Sequence, residues 1–391
     1  MRFTYRCIQC GREYPVSADR LVCEECSRGQ RPGMPPAGML EVRLIGDPGA
    51  PDGRGDTWGV HDLLPVEKKW FPPIPVGNTP LWEPERLRKT MGLPQLFLKD
   101  DTANPTGSLK DRASYLVAAF ARREGIDRIV LSSTGNAGSS MCGIGAAAGL
   151  HVRLYLPAAA PPAKIVQSLQ YGAEVIKVDG TYDDAHAESV RYLAEHGGLS
   201  RNTGHNPLTV EGKKTVSLEI FRQLGHRVPD YIFVPVGDGV ILSGVYKGFE
   251  DLIALGLADR MPTVVAVQAE GSSAIARAFK TGEFDAPRPA NTVADSISVD
   301  VPAGGYFALG RLQRHNGKAV VVSDEDILQA QYELASMSGL FAEPAASAAW
   351  AGCRAMNREI DRDATVVVLV TGSGLKDIDA ARKGVMLHEH H

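Results

Sequence analysis

An α/β chain, with parallel sheets covered by helices on both faces, is predicted by three features of these 391 residues. Short β-branched runs alternate with longer amphipathic ones, and the strand-length runs are almost continuously apolar. The length exceeds one ordinary domain and suggests two lobes with an appendage. Hydrophobic residues make up 44% and charged residues 23%, close to globular averages, so a large core can form. A net charge of -4 and a pI near 6.2 leave no basic field for nucleic acid or an anionic membrane. The N-terminus "MRFTYRCIQC" reaches a cysteine pair before any apolar run forms, so no signal peptide is read there. The most apolar stretches, "YIFVPVG" and "TVVVLVTG", are strand-length and too short to span a bilayer. A soluble, cytoplasmic protein is expected, and the closing "HEHH" is given no function.

The first element is a segment over residues 1–30 that carries four of the six cysteines. Cys7 and Cys10 form one CxxC hook, and Cys23 and Cys26, after a twelve-residue spacer, form a second. Two such hooks supply four thiolates able to close tetrahedrally on one Zn2+ ion. With all four positions taken by protein, the site would be structural. Four cysteines without metal are the alternative, since two disulfides do not suit a cytosolic chain. Cys142 and Cys353 lie in Ala/Gly-rich helical stretches and read as buried small hydrophobes.

Residues 31–75 are rich in Pro and Gly ("GQRPGMPPAGM", "GDPGAPDGRGD", "WFPPIPVGNTP") and read as a connector with little regular structure. Beyond them the candidate strands are "QLFLKD", "RIVLSS", "VRLYLP", "EVIKVD", "YIFVPV", "TVVAVQA", "KAVVVS" and "TVVVLVTG". Helical stretches such as "RASYLVAAFARREG" and "SDEDILQAQYELASMSG" lie between them. In sheets of this kind ligands bind at the carboxyl ends of the strands.

Three such ends are distinctive. After "RIVLS" comes "STGNAGSSMCG", where Ser133, Thr134, Gly135 and Asn136 open a helix and present amides and hydroxyls suited to a carboxylate. Plain N-capping by Ser133 or Thr134 is the simpler alternative. After "YIFVP" comes "VGDGVILSGVYKGF", where glycines at 237, 239 and 244 leave backbone amides able to cradle a phosphate. No Lys-Ser/Thr follows, so this is not a nucleotide P-loop. Asp238 suits a phosphate site only if its side chain points away. After "VVVLV" comes "TGSGLKD", where Thr371 or Ser373 offers a hydroxyl or a helix cap. Upstream, "NPTGSLKDRAS" sets Lys110 just after a turn, at a helix start. On its own Lys110 reads as a surface cation. Together with a carboxylate loop, a phosphate cradle and a strand-end hydroxyl, it supplies the parts needed to hold pyridoxal 5'-phosphate through a Schiff base.

"NPTGSLKDR", "SSTGNAG", "NPLTVEGKKTVSLEI", "GLFAEPAASAA" and "TGSGLKD" resemble, in order and spacing, the threonine synthases of the fold-type-II pyridoxal-phosphate enzymes. The resemblance implies two α/β lobes, a larger one over 76–109 and 207–391 and a smaller, mobile one over 110–206, in a homodimer. It implies that Lys110 is the Schiff-base lysine and that Asn136 hydrogen-bonds the cofactor's 3′ oxygen. Thr371 would meet the pyridine nitrogen, and Gly237, Asp238, Gly239, Val240 and Ile241 would form the phosphate loop. Ser133 to Asn136 would hold the carboxylate of an amino-acid substrate, with Thr209 in the substrate segment. Some family members also carry an N-terminal cysteine knuckle.

Departures from the family pattern bear on the substrate. Leu109 stands where the family has Phe, Thr209 where an arginine grips the substrate phosphate, and Asp238 where an asparagine contacts it. Loss of the cation and gain of a carboxylate weaken phosphate binding, unless Arg201, Lys213 or Lys214 compensates. The expected activity is γ-elimination with β-replacement, from O-phosphohomoserine to threonine. The alternatives are β-replacement on O-phosphoserine or another β-substituted alanine, as in cysteate synthases, and a serine/threonine ammonia-lyase. A non-catalytic zinc-knuckle binding protein is a fourth reading. His205, in "RNTGHNP", is a further candidate near the substrate segment.

Overall fold

The computed structural model describes residues 2–45, 59–160 and 162–388. The "GDPGAPDGRGD" part of the connector and the last three residues of "HEHH" lie outside them. The strands, in chain order, are β1 Arg2–Cys7, β2 Glu13–Pro15, β3 Leu40–Ile45, β4 Leu81–Trp82, β5 Leu96–Asp100, β6 Arg128–Ser132, β7 His151–Pro157, β8 Glu174–Val178, β9 Leu199–Ser200, β10 Tyr231–Pro235, β11 Thr263–Ala269, β12 Lys318–Val322 and β13 Val366–Val370. All eight candidate strands of the α/β body are present. Beyond those eight, the short β4 and β9 carry too few residues to show an alternation. Strand β3, inside the Pro/Gly-rich stretch, pairs with β1 along its whole length. No helix among the described residues is long and apolar enough to cross a membrane.

The chain divides into two compact units. One comprises Met1–Gln30, Pro36–Val76 and Lys110–Thr215. Its body is a parallel sheet of order β8-β7-β6-β9. Because β6 and β9 are parallel neighbours, the 133–136 loop and the 201–209 segment leave the sheet side by side. An antiparallel sheet of order β2-β1-β3 forms the cysteine-bearing end. It is not a detached module: Tyr5, Cys7, Cys23, Leu40 and Val42 share one apolar core with Leu116, Val117 and Phe120 of helix Lys110–Glu124 and with Leu208. Helix Leu208–Lys213 crosses the Lys110 helix at Gly212, where a Cβ would lie 2.4 Å from Arg112 O and 2.8 Å from Ala113 Cα. Only glycine permits that approach. The fully buried Lys214 pairs with Glu211 and donates to Leu63 O at 2.7 Å, fixing this helix to the 59–64 turn.

The other unit comprises Arg31–Pro35, Gly77–Leu109 and Val216–His391. Its sheet has the order β12-β11-β10-β13-β5-β4, parallel except for β4. Strand β13 enters between β10 and β5, although it comes last in the chain. The loops after β5, β10 and β13 are thereby neighbours on one edge, the usual ligand edge of such sheets. Leu96, Leu98, Val366, Val368 and Val370 pack with Ala345, Ala348, Ala349 and Trp350 of helix Pro344–Ala355. The lysine within β5 is accounted for by its partners: fully buried Lys99 donates to Thr79 O (2.8 Å), Glu219 Oε2 (2.8 Å) and Gln223 Oε1 (2.9 Å). Three matched acceptors suit the three donors of an ammonium and offset its desolvation. Helix Val240–Ala254 is tied to helix Gly305–Arg314 by Glu250, whose carboxylate accepts from Arg311 Nη2 (2.7 Å) and faces His315 Nε2 (2.9 Å). Burial pushes that carboxyl up, but Arg311 and His315 hold it down at about 2.

Gly212→Ala is expected to force the two helices apart and cost about 1–3 kcal/mol. A urea-unfolding midpoint lowered without change of slope is the result expected.

Candidate active site

The site residues fall in both units, and each set is described in its own. In the sheet unit of β10 and β13, the "NPTGSL" turn is closed by Gly107 N–H donating to Asn104 O (2.8 Å) and by Asn104 Oδ1 accepting from Gly77 N–H (3.0 Å). Gly107 has φ +81°, a conformation that glycine adopts without strain. The chain then lies against the end of β13. Ser108 bridges Gly372, Leu109 N–H donates to Thr371 O (2.8 Å), and Ser373 N–H donates to Gly107 O (3.0 Å). Lys110 follows at once in sequence, so this backbone pairing sets where its helix begins. Ser373 Oγ accepts from Leu375 N–H, so Ser373 is a helix cap. Leu109 is fully buried.

The glycine loop follows β10. A Cβ at Gly237 would lie 2.6 Å from Ile297 Cα. At Gly239, with φ +82°, it would lie 2.9 Å from both Ala308 Cβ and Ile275 Cδ1. The backbone therefore packs where no larger residue fits. Helix Val240–Ala254 starts here, and its first-turn amides have no acceptor within the helix. One of them is engaged: Asp238 Oδ1 accepts from Val240 N–H at 2.9 Å. Asp238 thus turns its carboxylate onto its own helix start, while its backbone O accepts from Gly304 N–H (2.6 Å).

In the other unit, helix Asn136–Ala148 has Gly135 at its N-cap, and Ser133 Oγ, two residues earlier, accepts from Gly135 N–H (3.2 Å) and from the first-turn Gly138 N–H (3.0 Å). Thr134 and Gly135 are half-buried and Asn136 is buried. One helical turn beyond Lys110 stands Ser114, and one turn beyond Asn136 stands Ser140. Their hydroxyls bond each other at 2.8 Å, and Arg201 Nε donates to Ser114 Oγ (3.2 Å). The two helices that begin at Lys110 and Asn136 are clasped by this buried cluster. Sequence reading did not single out Ser114 or Ser140. Their i+4 spacing from Lys110 and Asn136 is the signal that could have found them.

The 201–209 segment is knitted to the same edge. Asn202 Oδ1 accepts from Ser132 N–H (2.8 Å) and Asn206 Nδ2 donates to Ser200 O (2.7 Å). Thr209 is fully buried and its hydroxyl donates to Asn206 O (2.7 Å), a local helix-turn bond. Of the candidate compensating cations, Lys214 is held by Glu211 and Leu63 O, whereas Arg201 sits in the serine clasp.

The four cysteines converge, with their sulfurs all within 4.8 Å of one another. Cys10 and Cys23 are 3.8 Å apart, the separation of about 3.8 Å that two ligands on a tetrahedral Zn2+ require. Gly11, with φ +74°, turns the first hook, and Tyr14 Oη donates to Cys23 Sγ at 3.0 Å. Burial pushes Cys26 up to about 12, with the Cys10 and Cys7 thiols adding to it. Burial raises Cys23 as well, but the amide of Cys26 and the Tyr14 hydroxyl more than offset this and hold it at about 6. Four sulfurs this close resist losing their protons together, and a divalent cation is what stabilises them as thiolates. Cys142 and Cys353 are buried and free.

With this geometry in hand, the comparisons with known proteins are specific. The sequence profile described as pyridoxal-phosphate dependent enzyme matches residues 74–372. A threonine synthase of Methanosarcina acetivorans is 35% identical over 385 residues, covering 95% of this chain and 92% of the relative. A threonine synthase of Methanocaldococcus jannaschii is 34% identical, covering 96% and 93%. Among solved structures, the processed form of threonine deaminase isoform 2 from Solanum lycopersicum superposes with a TM-score of 0.70 at 21% identity, covering 80% of this chain and 84% of that one. Maize serine racemase gives 0.68 at 21% identity, covering 81% and 94%. The chain belongs to the pyridoxal-phosphate-dependent enzyme family and has its fold-type-II architecture. Within that family it is a threonine synthase-like enzyme, by similarity along nearly its whole length.

The residues present fit the cofactor. The glycine loop opens helix Val240–Ala254, whose first-turn amides can receive an anion. Fully buried Ser108 Oγ, two residues before Lys110, has no hydrogen-bond partner among the described residues, a polar atom that a ligand would satisfy.

His205 stands half-buried beside His186, their ring centroids 5.3 Å apart. Burial, and then His186, pull His205 down to about 4; burial also lowers His186, opposed by Asp183. An unfolded histidine takes its proton near pH 6.5, so the folded state binds fewer protons below that value. Stability is therefore expected to fall as pH drops from about 6.5 toward 4. His205→Asn should flatten that slope in melting curves taken across this range.

Proposed function

We propose that this enzyme converts O-phosphohomoserine and water to threonine and phosphate. The observation that carries the reading is the run of ordered motifs, from Lys110 to Thr371, within a chain similar to threonine synthases over nearly its full length. Lys110 would hold the cofactor through its amine, Asn136 would bond its 3′ oxygen, and Thr371 would meet its ring nitrogen. The amides of Gly237, Asp238, Gly239, Val240 and Ile241 would hold its phosphate, which would take the place of the Asp238 carboxylate on Val240 N–H, with the helix start there favouring the negative charge. When bound, the cofactor supplies an electron sink that acidifies the hydrogens at Cα and Cβ of the substrate.

The residues of the chain do the rest. Ser133, Thr134, Gly135 and Asn136 would grip the substrate carboxylate and fix the Cα–H bond toward Lys110. The Lys110 amine would take the Cα proton and move protons at Cβ, within reach of one side chain. Phosphate would leave from Cγ, which gains one of the two protons taken from Cα and Cβ and becomes the methyl group; water would add its hydroxyl at Cβ and give its proton to the departing phosphate, and the other proton would return to Cα, giving threonine.

A second reading keeps the cofactor and shortens the substrate. Thr209 directs its hydroxyl to Asn206 O, and Asp238 places a carboxylate in the glycine loop, which supports a substrate without a γ-phosphate. O-Phosphoserine or another β-substituted alanine, or serine and threonine as ammonia-lyase substrates, fit that description. The chain would assemble as a homodimer and act in the cytoplasm.

Purified protein supplied with cofactor is expected to release phosphate and threonine from O-phosphohomoserine, and Lys110→Ala to lose both this activity and the cofactor's visible absorbance. Phosphate release from O-phosphoserine alone would favour the second reading, and release from neither would end both phosphate-ester readings.

Cys7, Cys10, Cys23 and Cys26 would hold one structural Zn2+. Metal analysis is expected to find one zinc per chain. Cys23→Ser should lower that content and the melting temperature together, since ion binding is linked to folding.

A further inference from the structure

Away from the site described above, the unit built on β10 and β13 holds an apolar cleft of about 270 Å³ between helix Asp324–Ser338 and helix Ile378–His388. Leu328, Ala335, Phe341, Ile378 and Val385 form its walls. Space of about 150 Å³ suffices for a benzene-sized molecule, so this cleft has room for a small ligand. Ile378 and Val385 remain 47% and 48% exposed, which leaves apolar surface for a ligand to take out of water.

Three further features set the cleft apart from a bare apolar face. Gln331 is 3% exposed, and its Nε2 is engaged, donating to Ala342 O at 2.7 Å. Its Oε1 accepts no hydrogen bond among the described residues, so a buried acceptor on the cleft wall is left for a donor from outside the protein. Arg382 is exposed at the rim and has neither an ion pair nor a hydrogen bond among the described residues. Gly384 lines the cleft from inside a helix, where alanine is the more stable residue. Packing does not require that glycine: a Cβ there would meet nothing closer than Leu328 O at 3.6 Å and Gln331 Oε1 at 3.7 Å. Its missing side chain keeps Oε1 open to the cleft.

The same cleft is linked to the loop that carries Thr371. Phe341 lies against Gly374, where a Cβ would be 2.5 Å from the phenyl ring. Gly374 N–H donates to Phe341 O (2.9 Å), and Ala342, whose O is held by Gln331, bridges Ser373. A ligand that displaces Phe341 or Gln331 therefore displaces the chain that leaves β13.

We propose that this cleft is an effector site for an apolar α-amino acid. The ligand's side chain fills the space between the two helices, its carboxylate pairs with Arg382, and its ammonium donates to Gln331 Oε1. Occupancy acts on the 371–374 loop and through it on the cofactor. Only this last step rests on the reading of Thr371 as the ring contact.

Calorimetric titration of the holoenzyme with L-leucine, L-isoleucine and L-phenylalanine tests the site, with glycine as the probe that lacks an apolar side chain. Saturable binding of at least one of the three, and none of glycine, is expected. Arg382→Gln and Gly384→Leu should each melt within about 3 °C of the parent and weaken that binding about tenfold or more. The bound amino acid should change the visible band of the cofactor in the parent and not in the variants. No saturable binding by any of the three overturns the proposal. Binding equal in the parent and both variants belongs to the active site and overturns it as well. If Gly384→Leu does not fold, the exposed Arg382→Gln decides alone. Self-association that Gly384→Leu disrupts, with no amino acid bound, assigns the cleft to a second copy of the chain and overturns the proposal. Binding lost in the variants but without effect on the parent's band keeps the site and overturns its coupling to the loop. A parent without cofactor absorbance overturns the active-site reading instead, and the titration still decides the cleft.

Discussion

A single backbone contact organises the turn that leads into Lys110. Leu109 N–H donates to Thr371 O at 2.8 Å, and Ser108 bridges Gly372. Strand β13 comes last in the chain but inserts beside β5, so the segment leaving β5 meets the end of β13 and is held there. The residue after that clamp is Lys110. Its position is fixed by peptide geometry and not by its own flexible side chain. The clamp needs Gly107 at φ +81° to turn into it, and Gly372 to make room for Glu343 on the opposite face.

Each of the two units buries polar groups that a core would otherwise exclude. Lys99, Glu219, Asp101, Glu343 and Thr371 are all buried in the unit built on β10 and β13. In the other unit, Ser114, Ser140, Arg201, Asn202 and Asn206 are buried beneath the starts of the Lys110 and Asn136 helices. Hydrogen-bonded polar groups of this kind rigidify what they connect, because leaving any one unsatisfied is costly. Hydroxyl and amide side chains knit the loops at the carboxyl ends of β6 and β9, where backbone pairing has run out. The same logic governs the N-terminal sheet, in which four sulfurs meet at one point while Cys7 and Cys23 face the apolar core. A metal there would hold that core together and not merely decorate an appendage.

The loops that carry the candidate site were legible in the sequence. Glycines at 237 and 239 were read as a phosphate cradle, and the structure adds that their backbone packs closely against Ile297, Ile275 and Ala308. The CxxC hooks announced a cluster, and the sulfurs do converge. Other features were not legible for physical reasons. Ser133 and Thr134 were equal candidates for a helix cap, and in the structure the N-cap position is Gly135 while Ser133 Oγ takes the Gly138 N–H from outside the helix. Ser373, by contrast, takes the cap beside Thr371. Asp238 was expected to suit a phosphate loop only with its side chain turned away, and the structure instead lays its carboxylate on the loop's own Val240 N–H.

The sequence by itself determined the α/β class, the strands of its body, the lysine at a helix start and the loops worth asking about. Each of these depends on local pattern: side-chain period, glycine at turns, and the spacing of thiols. Only the tertiary structure decided that β13 lies between β10 and β5, that Ser114 meets Ser140, and that the Glu343 carboxylate rests on Gly372. Those pairings join residues far apart in the chain, and no local period records them. They are selected by the close packing of the finished core and by the need of every buried polar group for a partner.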